Sequence, residues 1–495
     1  MRKLILSAWA LLLMGSLALA QDATAVKYGN TITPEDMKAK LSVLASDDFG
    51  GRETGTEGQK KASRFLEDFY QKIGLEGPVD GTYRQKFSLY QADWSEVYIH
   101  NGKIKKMNGD EFIFLGNANM DKEIRLNTVF IGKVTENTDF ASIADKGVVV
   151  VGANRNQLTK LREEGAKAIF VVNENDDRFK QMLPRQARSV IQGRMTFDDG
   201  GNSTESIVFY VTQQLAADLL KVDAEEMLAA IDSPSDLKER KVRFQVKKRV
   251  NEIATENMVA FLEGTDLKDE VLVISSHFDH IGQNEDGSVI NNGADDDGSG
   301  TTGVMEIAEA FAQAATDGIR PRRSILFLNV TGEEKGLLGS AYYADNPLFP
   351  IENTINNLNI DMIGRVDPEH EESGNRDYVY VIGSEKLSSH LKIISEYANI
   401  TYTGLDLDYR FDDPDDRNRF YYRSDHYNFA KKGIPIIFYF NGVHPDYHRP
   451  TDTIEKITFD VMAKRAQLVF HTAWLLANRD ERTPVDQEDD MEYNR

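Results

Sequence analysis

The chain has 495 residues, 41% of them apolar, and carries a formal net charge of -22. A chain this long outgrows one hydrophobic core and implies two domains with appendages. The acidic balance opposes nucleic acid or an anionic membrane surface as partner, and the absence of Cys leaves no disulfide or thiolate ligand, so any metal is held by nitrogen and oxygen.

Met1-Arg2-Lys3, an apolar run over 4–13 and the small residues Ala18-Leu19-Ala20 read as a signal peptide, 1–20, cut before Gln21. Its removal takes away Arg2 and Lys3 and lowers the charge by two, from -22 to -24. The run is too short for a membrane span and no Cys follows the cut to receive a lipid. The expectation is an exported protein, periplasmic or secreted, without membrane insertion. Residues 21–84 then read as helices. Thr33-Pro34 pairs a capping residue with Pro at the first helical position, and Ala62, Phe65, Leu66, Phe69 and Ile73 recur at helical spacing up to Gly74, a left-handed cap. Between these helices the loop over 50–58 reads as a surface turn or as a wall of a cleft.

From 85 to 250 the pattern changes to short strands and turns, an inserted small β-rich α+β domain with a strand at 148–151, a helix at 158–164 and a strand at 169–172. From 251 to 479 strand and helix alternate. Strands are expected at 271–274, 324–330, 355–360, 378–382 and 434–440, and helices at 298–315, 337–344, 387–398 and 459–477. Alternation of this kind predicts an α/β fold, a mostly parallel mixed sheet with helices on both faces. The charged segment 480–495 lacks an apolar stripe and is expected to be disordered.

Chemistry gathers at the ends of these strands. His277-Phe278-Asp279 follows the first buried strand, Asp295-Asp296-Asp297-Gly298 precedes a helix, Glu333-Glu334 follows the next strand and Asp361 the one after, while His444 and His448 follow the last. Side chains just past the carboxyl ends of such strands point into the crevice where α/β sheets keep their chemistry. A pair of divalent ions roughly 3.5–4 Å apart needs neutral imidazoles and carboxylates, one of them shared. Adjacent side chains on a turn diverge, so one of Glu333 and Glu334 binds metal while the other faces the nucleophilic water. Gly298 and Gly300 come with no phosphate-loop Lys, which removes nucleotide binding.

These motifs resemble the co-catalytic di-zinc exopeptidase family that contains bacterial leucyl aminopeptidases, glutamate carboxypeptidase and the transferrin-receptor ectodomain. The segment 85–250 is similar to the protease-associated domain inserted in some members. The resemblance implies two zinc ions, other divalent ions being acceptable to such a donor set. It implies that His277, Asp296 and Asp361 hold one ion and Asp296, Glu334 and His448 the other, with Asp279 orienting the imidazole of His277 and Glu333 as general base. His280 and His444 are the competing imidazoles, whose default place is the cleft rim. Ser424-Asp425-His426 is not a serine-hydrolase triad, since triad members meet through space. The same tripeptide lies near the family's substrate pocket and points to Tyr421 as donor to the oxyanion, with Tyr422 as its neighbour and rival.

The activity this implies is exopeptidase cleavage of peptides. Aminopeptidase action is favoured by the acidic loop over 406–416, which suits a substrate amine; Arg417, Arg419 and Arg423 support a glutamate-carboxypeptidase-like alternative. A non-catalytic binding module predicts a missing base or ligand, and none is missing. Oligomeric state and side-chain preference leave no mark on the sequence.

Overall fold

The computed structural model describes residues 21–488 apart from 102–103, 117, 121 and 199–206, so the signal-peptide reading and the end of the acidic tail lie outside the described residues. The chain divides into two compact units, one formed by the segments up to Phe87 and from Ala254 onward, the other by Ser88–Ile253.

In the first unit the strands Leu267–His277, Arg323–Val330, Thr354–Ile360 and Ile436–Phe440 run parallel in one sheet. Arg249–Leu262 joins antiparallel beside Arg323–Val330, and Tyr378–Ile382 antiparallel beside Ile436–Phe440. The sheet is therefore mixed, and its central strands are buried on both faces. Leu272 and Ile274 pack into a layer with Val304, Met305 and Val469, from the helices Gly300–Thr316 and Phe459–Asn478. Their neighbours Val271 and Val273 point the other way, into a layer with Tyr343 and Phe429. A continuous apolar run, and not alternation with polar residues, is what a strand covered on both faces requires.

The helices begin where the sequence provides caps. Thr33 accepts from the N–H of Asp36, and Thr56 opens Glu57–Lys72 by accepting from Gln59, satisfying donors that the first turn leaves unpaired. The helix Gly300–Thr316 starts against the sheet. A Cβ on Gly300 would lie 2.6 Å from the carbonyl oxygen of Ile360, so only glycine lets this helix approach the end of that strand.

The second unit has its own eight-stranded sheet and apolar cores. Its centre is more regular than short strands and turns suggest. Ile124–Phe130, Gly147–Val151, Ala168–Val172 and Ile207–Val211 lie parallel, with the helix Arg155–Glu163 crossing between two of them.

One expectation is corrected. The tail does not leave the fold at residue 480: Thr483 is buried and donates to Asn356 Oδ1 at 2.8 Å, and Ser389 donates to the Asp486 carboxylate at 2.6 Å. Hydrogen bonds of this kind leave no apolar period in a sequence, which is why a charged tail reads as free.

Candidate metal centre

At the carboxyl edge of the first unit's sheet, the loops after four parallel strands converge. His277 is the last residue of its strand, Glu333 and Glu334 follow Thr331-Gly332 after the next, and Asp361 directly follows Ile360. His448 comes from the long loop after Ile436–Phe440, and Asp296 from the turn ahead of Gly300–Thr316.

Asp296 sits between two groups of donors. Its Oδ1 lies 3.5 Å from His277 Nε2, which is itself 3.6 Å from Asp361 Oδ1. Its Oδ2 lies 3.1 Å from His448 Nε2, which is 3.0 Å from Glu334 Oε2. One carboxylate thus presents an oxygen to each of two imidazole–carboxylate pairs. Asp296 Oδ2 and Glu334 Oε1 are buried with imidazole nitrogens as their nearest polar neighbours, His448 Nε2 at 3.1 Å and His280 Nδ1 at 2.8 Å, the crowding of carboxylate and imidazole that a shared cation relieves. The donor set is nitrogen and oxygen throughout, and it fits zinc. Against the upward push of burial, the imidazoles of His280 and His448 hold the Glu334 carboxyl well below its usual range.

Asp297 also lies close to His277 and Asp361. Its oxygens are already engaged, however. Oδ1 accepts from the N–H groups of Gly300 and Met362, both at 2.9 Å, and Oδ2 accepts from His277 N at 3.2 Å. It ties the helix start to two site strands. Asp295 does likewise from the other side, accepting from Gly364 N at 2.7 Å and meeting His444 Nε2 at 3.1 Å. Asp452 accepts the N–H groups of Asp295 and Asp296 at 3.0 and 3.2 Å and so fixes the shared carboxylate from behind.

Three assignments need correcting. The carboxylate of Asp279 stands 3.7 Å from His277 Nδ1, whereas its main-chain carbonyl is 3.1 Å away. A carbonyl only accepts, so Nδ1 carries the proton and Nε2 is free to bind a cation. The carboxylate itself accepts from Thr54 Oγ1 at 2.8 Å and from Glu333 N at 3.2 Å, holding the glutamate pair in place. Tyr421 is fully buried, packs against Tyr422, His426 and Tyr427, and does not line the cleft over the donors. Tyr447 does line it, stacked on His448 at 3.9 Å. Adjacency to His448 was the available signal. His280 and His444 are buried, not at a rim, and His280 Nδ1 lies 2.8 Å from Glu334 Oε1.

The loop over 50–58 is a surface turn at Gly55, Thr56 and Glu57, which are exposed, while its first half turns inward. Arg52 is buried, and its guanidinium donates to the carbonyls of Phe278, Leu44, Asn292 and Gly293 at 2.7–2.9 Å. It braces the segments that carry Asp279 and Asp296. The acidic loop over 406–416 is also spent locally. Asp408 pairs with Arg410, Asp412 accepts from Gly383 N and Asp416 from Phe420 N, and none of them lines the cleft. The cleft walls are instead Met362, Phe420, Phe438, Phe440 and Val443, with Arg423 at its mouth.

Residues 257–473 match the model of Peptidase family M28. A probable zinc metalloprotease of Pyricularia oryzae is 30% identical over 263 residues, covering 45% of this chain and 50% of that protein. Aminopeptidase YwaD of Bacillus subtilis is 22% identical over 502 residues, 95% of this chain and 93% of its own length. The chain spans about half the length of the first curated relatives it matches. The solved aminopeptidase from Aneurinibacillus sp. strain AM-1 superposes with a TM-score of 0.56 at 19% identity, over 94% of this chain and 99% of that one, and shows the same fold.

Proposed function

We propose, from the premise that residues 257–473 form a domain of peptidase family M28, that this protein is an aminopeptidase with two zinc ions. The observation that carries the reading is the division of Asp296, with one oxygen toward His277 and the other toward His448. His277 and Asp361 would then hold one ion, Glu334 and His448 the other, and Asp296 would serve both. Bound zinc supplies the Lewis acidity that polarises a scissile carbonyl and brings the ionisation of water near neutral pH.

The chain's own groups move the protons. Glu333, with Oε2 at 3.9 Å from His277 Nε2, takes the proton of the attacking water and returns it to the leaving amine. Burial pushes its carboxyl well above the usual range, with Glu334 and Asp361 adding to the push. Tyr447 donates to the oxyanion. Burial and the surrounding acids keep its hydroxyl protonated. Among the described residues lining the cleft there is no Ser, Thr or Cys to form an acyl-enzyme.

Cleavage from the amino end is supported by a relative named an aminopeptidase that matches this chain over 93% of its own length. The test compares a peptide with a free N-terminus, its N-acetylated form and the C-terminal amide of each. Turnover is expected to vanish on acetylation; turnover that survives acetylation and vanishes on amidation gives the reaction to a carboxypeptidase. Export rests on the pattern of 1–20, and the protease-associated identity of residues 88–253 on their parallel βαβ centre. Periplasmic release by osmotic shock checks the first.

A further inference from the structure

Among the side chains lining the cleft, Arg423 stands apart. It is the one cation there, it is exposed, and no Asp or Glu of the described residues pairs with it; its guanidinium lies over the Phe420 ring, 4.9 Å from the centroid. Two other arginines of this unit are neutralised in place, Arg365 by Asp446 and Arg410 by Asp408 and Glu369. In a chain of net charge -22, an Arg left without a carboxylate at the edge of an acidic cleft is an open charge-assisted donor pair.

The space over Asp296, Glu333 and Asp361 is narrow, about 30 Å3, and its walls are Met362, Val443 and aromatic rings. Glu333 and Arg423 line this same space, so a substrate whose scissile bond lies over Glu333 comes within reach of the guanidinium. An extended dipeptide spans at most about 7 Å. Its carboxylate end suits the guanidinium, which lines the same space as Glu333. Contact with the Phe420 ring restrains the guanidinium, and a restrained fork loses less freedom when it binds a planar carboxylate.

We infer that Arg423 reads a carboxylate on the substrate next to the scissile bond, which makes short peptides with a free C-terminus the preferred substrate class. The inference rests on the aminopeptidase reading above and adds a second recognition point to it. An acidic side chain on the first residue offers the same chemistry, so both sources enter the test.

Steady-state kinetics with zinc-loaded wild-type protein, Arg423→Gln and Arg423→Lys would use Leu-Ala, Leu-Ala-amide and Glu-Ala-amide. The wild type is expected to favour Leu-Ala over its amide by about tenfold or more in kcat/KM, the size of one charge-assisted hydrogen bond. Arg423→Gln should bring that ratio near one through KM, and Arg423→Lys should restore part of it. A preference for Glu-Ala-amide over Leu-Ala-amide that Arg423→Gln abolishes also supports carboxylate reading, with the side chain as its source. Ratios equal in wild type and Arg423→Gln overturn it. Failure of the wild type to cleave Leu-Ala-amide at all strikes instead at the aminopeptidase reading.

Discussion

Glu333 and Glu334 are neighbours in sequence with opposite electrostatic surroundings. Burial and nearby acids raise the first, and two imidazoles lower the second. Their substitutions should separate accordingly. Glu333→Gln is expected to retain its metal while kcat falls at least ~10²-fold, the scale of a lost general base. Glu334→Gln should release one ion, as metal analysis after dialysis would show. The two tyrosines separate in the same way. Tyr447→Phe should lower kcat ~10²-fold or more, as for a removed oxyanion donor, with unchanged metal content. Tyr421→Phe should leave kcat near wild type, because its ring sits among Tyr422, His426 and Tyr427 and away from the cleft. Equal losses for both would return the oxyanion role to the residue named from sequence.

At the scale of elements, most of what positions the site was legible because strands buried on both faces are continuous apolar runs. The predicted strand at 355–360 is the observed Thr354–Ile360, and the helix at 459–477 is Phe459–Asn478. The ligand-type residues could be found because they lie at strand ends. What holds them was less visible. Arg52 stands more than two hundred residues before the carbonyls of Phe278 and Gly293 that it binds, and Thr54 as far from Asp279. No local period or spacing encodes such a brace. Asp452 gives the same lesson, accepting main-chain N–H groups from a turn about 150 residues earlier. Replacing Arg52 by Met leaves the carbonyls of Phe278, Leu44 and Asn292 without the donor they have now, so unfolding in urea should show a loss of about 3 kcal/mol or more. Zinc affinity should fall with it, since the turn bearing Asp296 loses its support. A stability loss below about 1 kcal/mol would mean that Arg52 is dispensable to these loops.

At the scale of the whole molecule, the buried charges at the sheet edge make stability depend on both pH and metal. Burial, first among the causes, raises Glu333 and Asp297 well above the usual carboxylate range, Asp425 to about 7 and Asp452 to about 6. An acid raised in the folded state binds its proton more tightly there than in the unfolded chain. Its contribution is complete below about pH 4 and is lost as pH rises through the folded value. His448, lifted to about 10 by Asp296 and Glu334 against the effect of burial, acts in the same sense from about pH 6.5 upward. Glu334, lowered, acts only under more acidic conditions. The metal-free protein should therefore lose Tm between about pH 5 and pH 8, and saturating zinc should restore more at the higher pH. A Tm that rises over that interval without metal would contradict these assignments.

If one carboxylate serves two ions, zinc content after equilibrium dialysis reveals it. Wild-type protein should hold close to two zinc ions per chain, and Asp296→Ala should hold neither at the same free zinc concentration, while circular dichroism shows the fold retained. Wild-type protein that saturates at one ion, or Asp296→Ala that keeps one at wild-type affinity, would contradict the shared site.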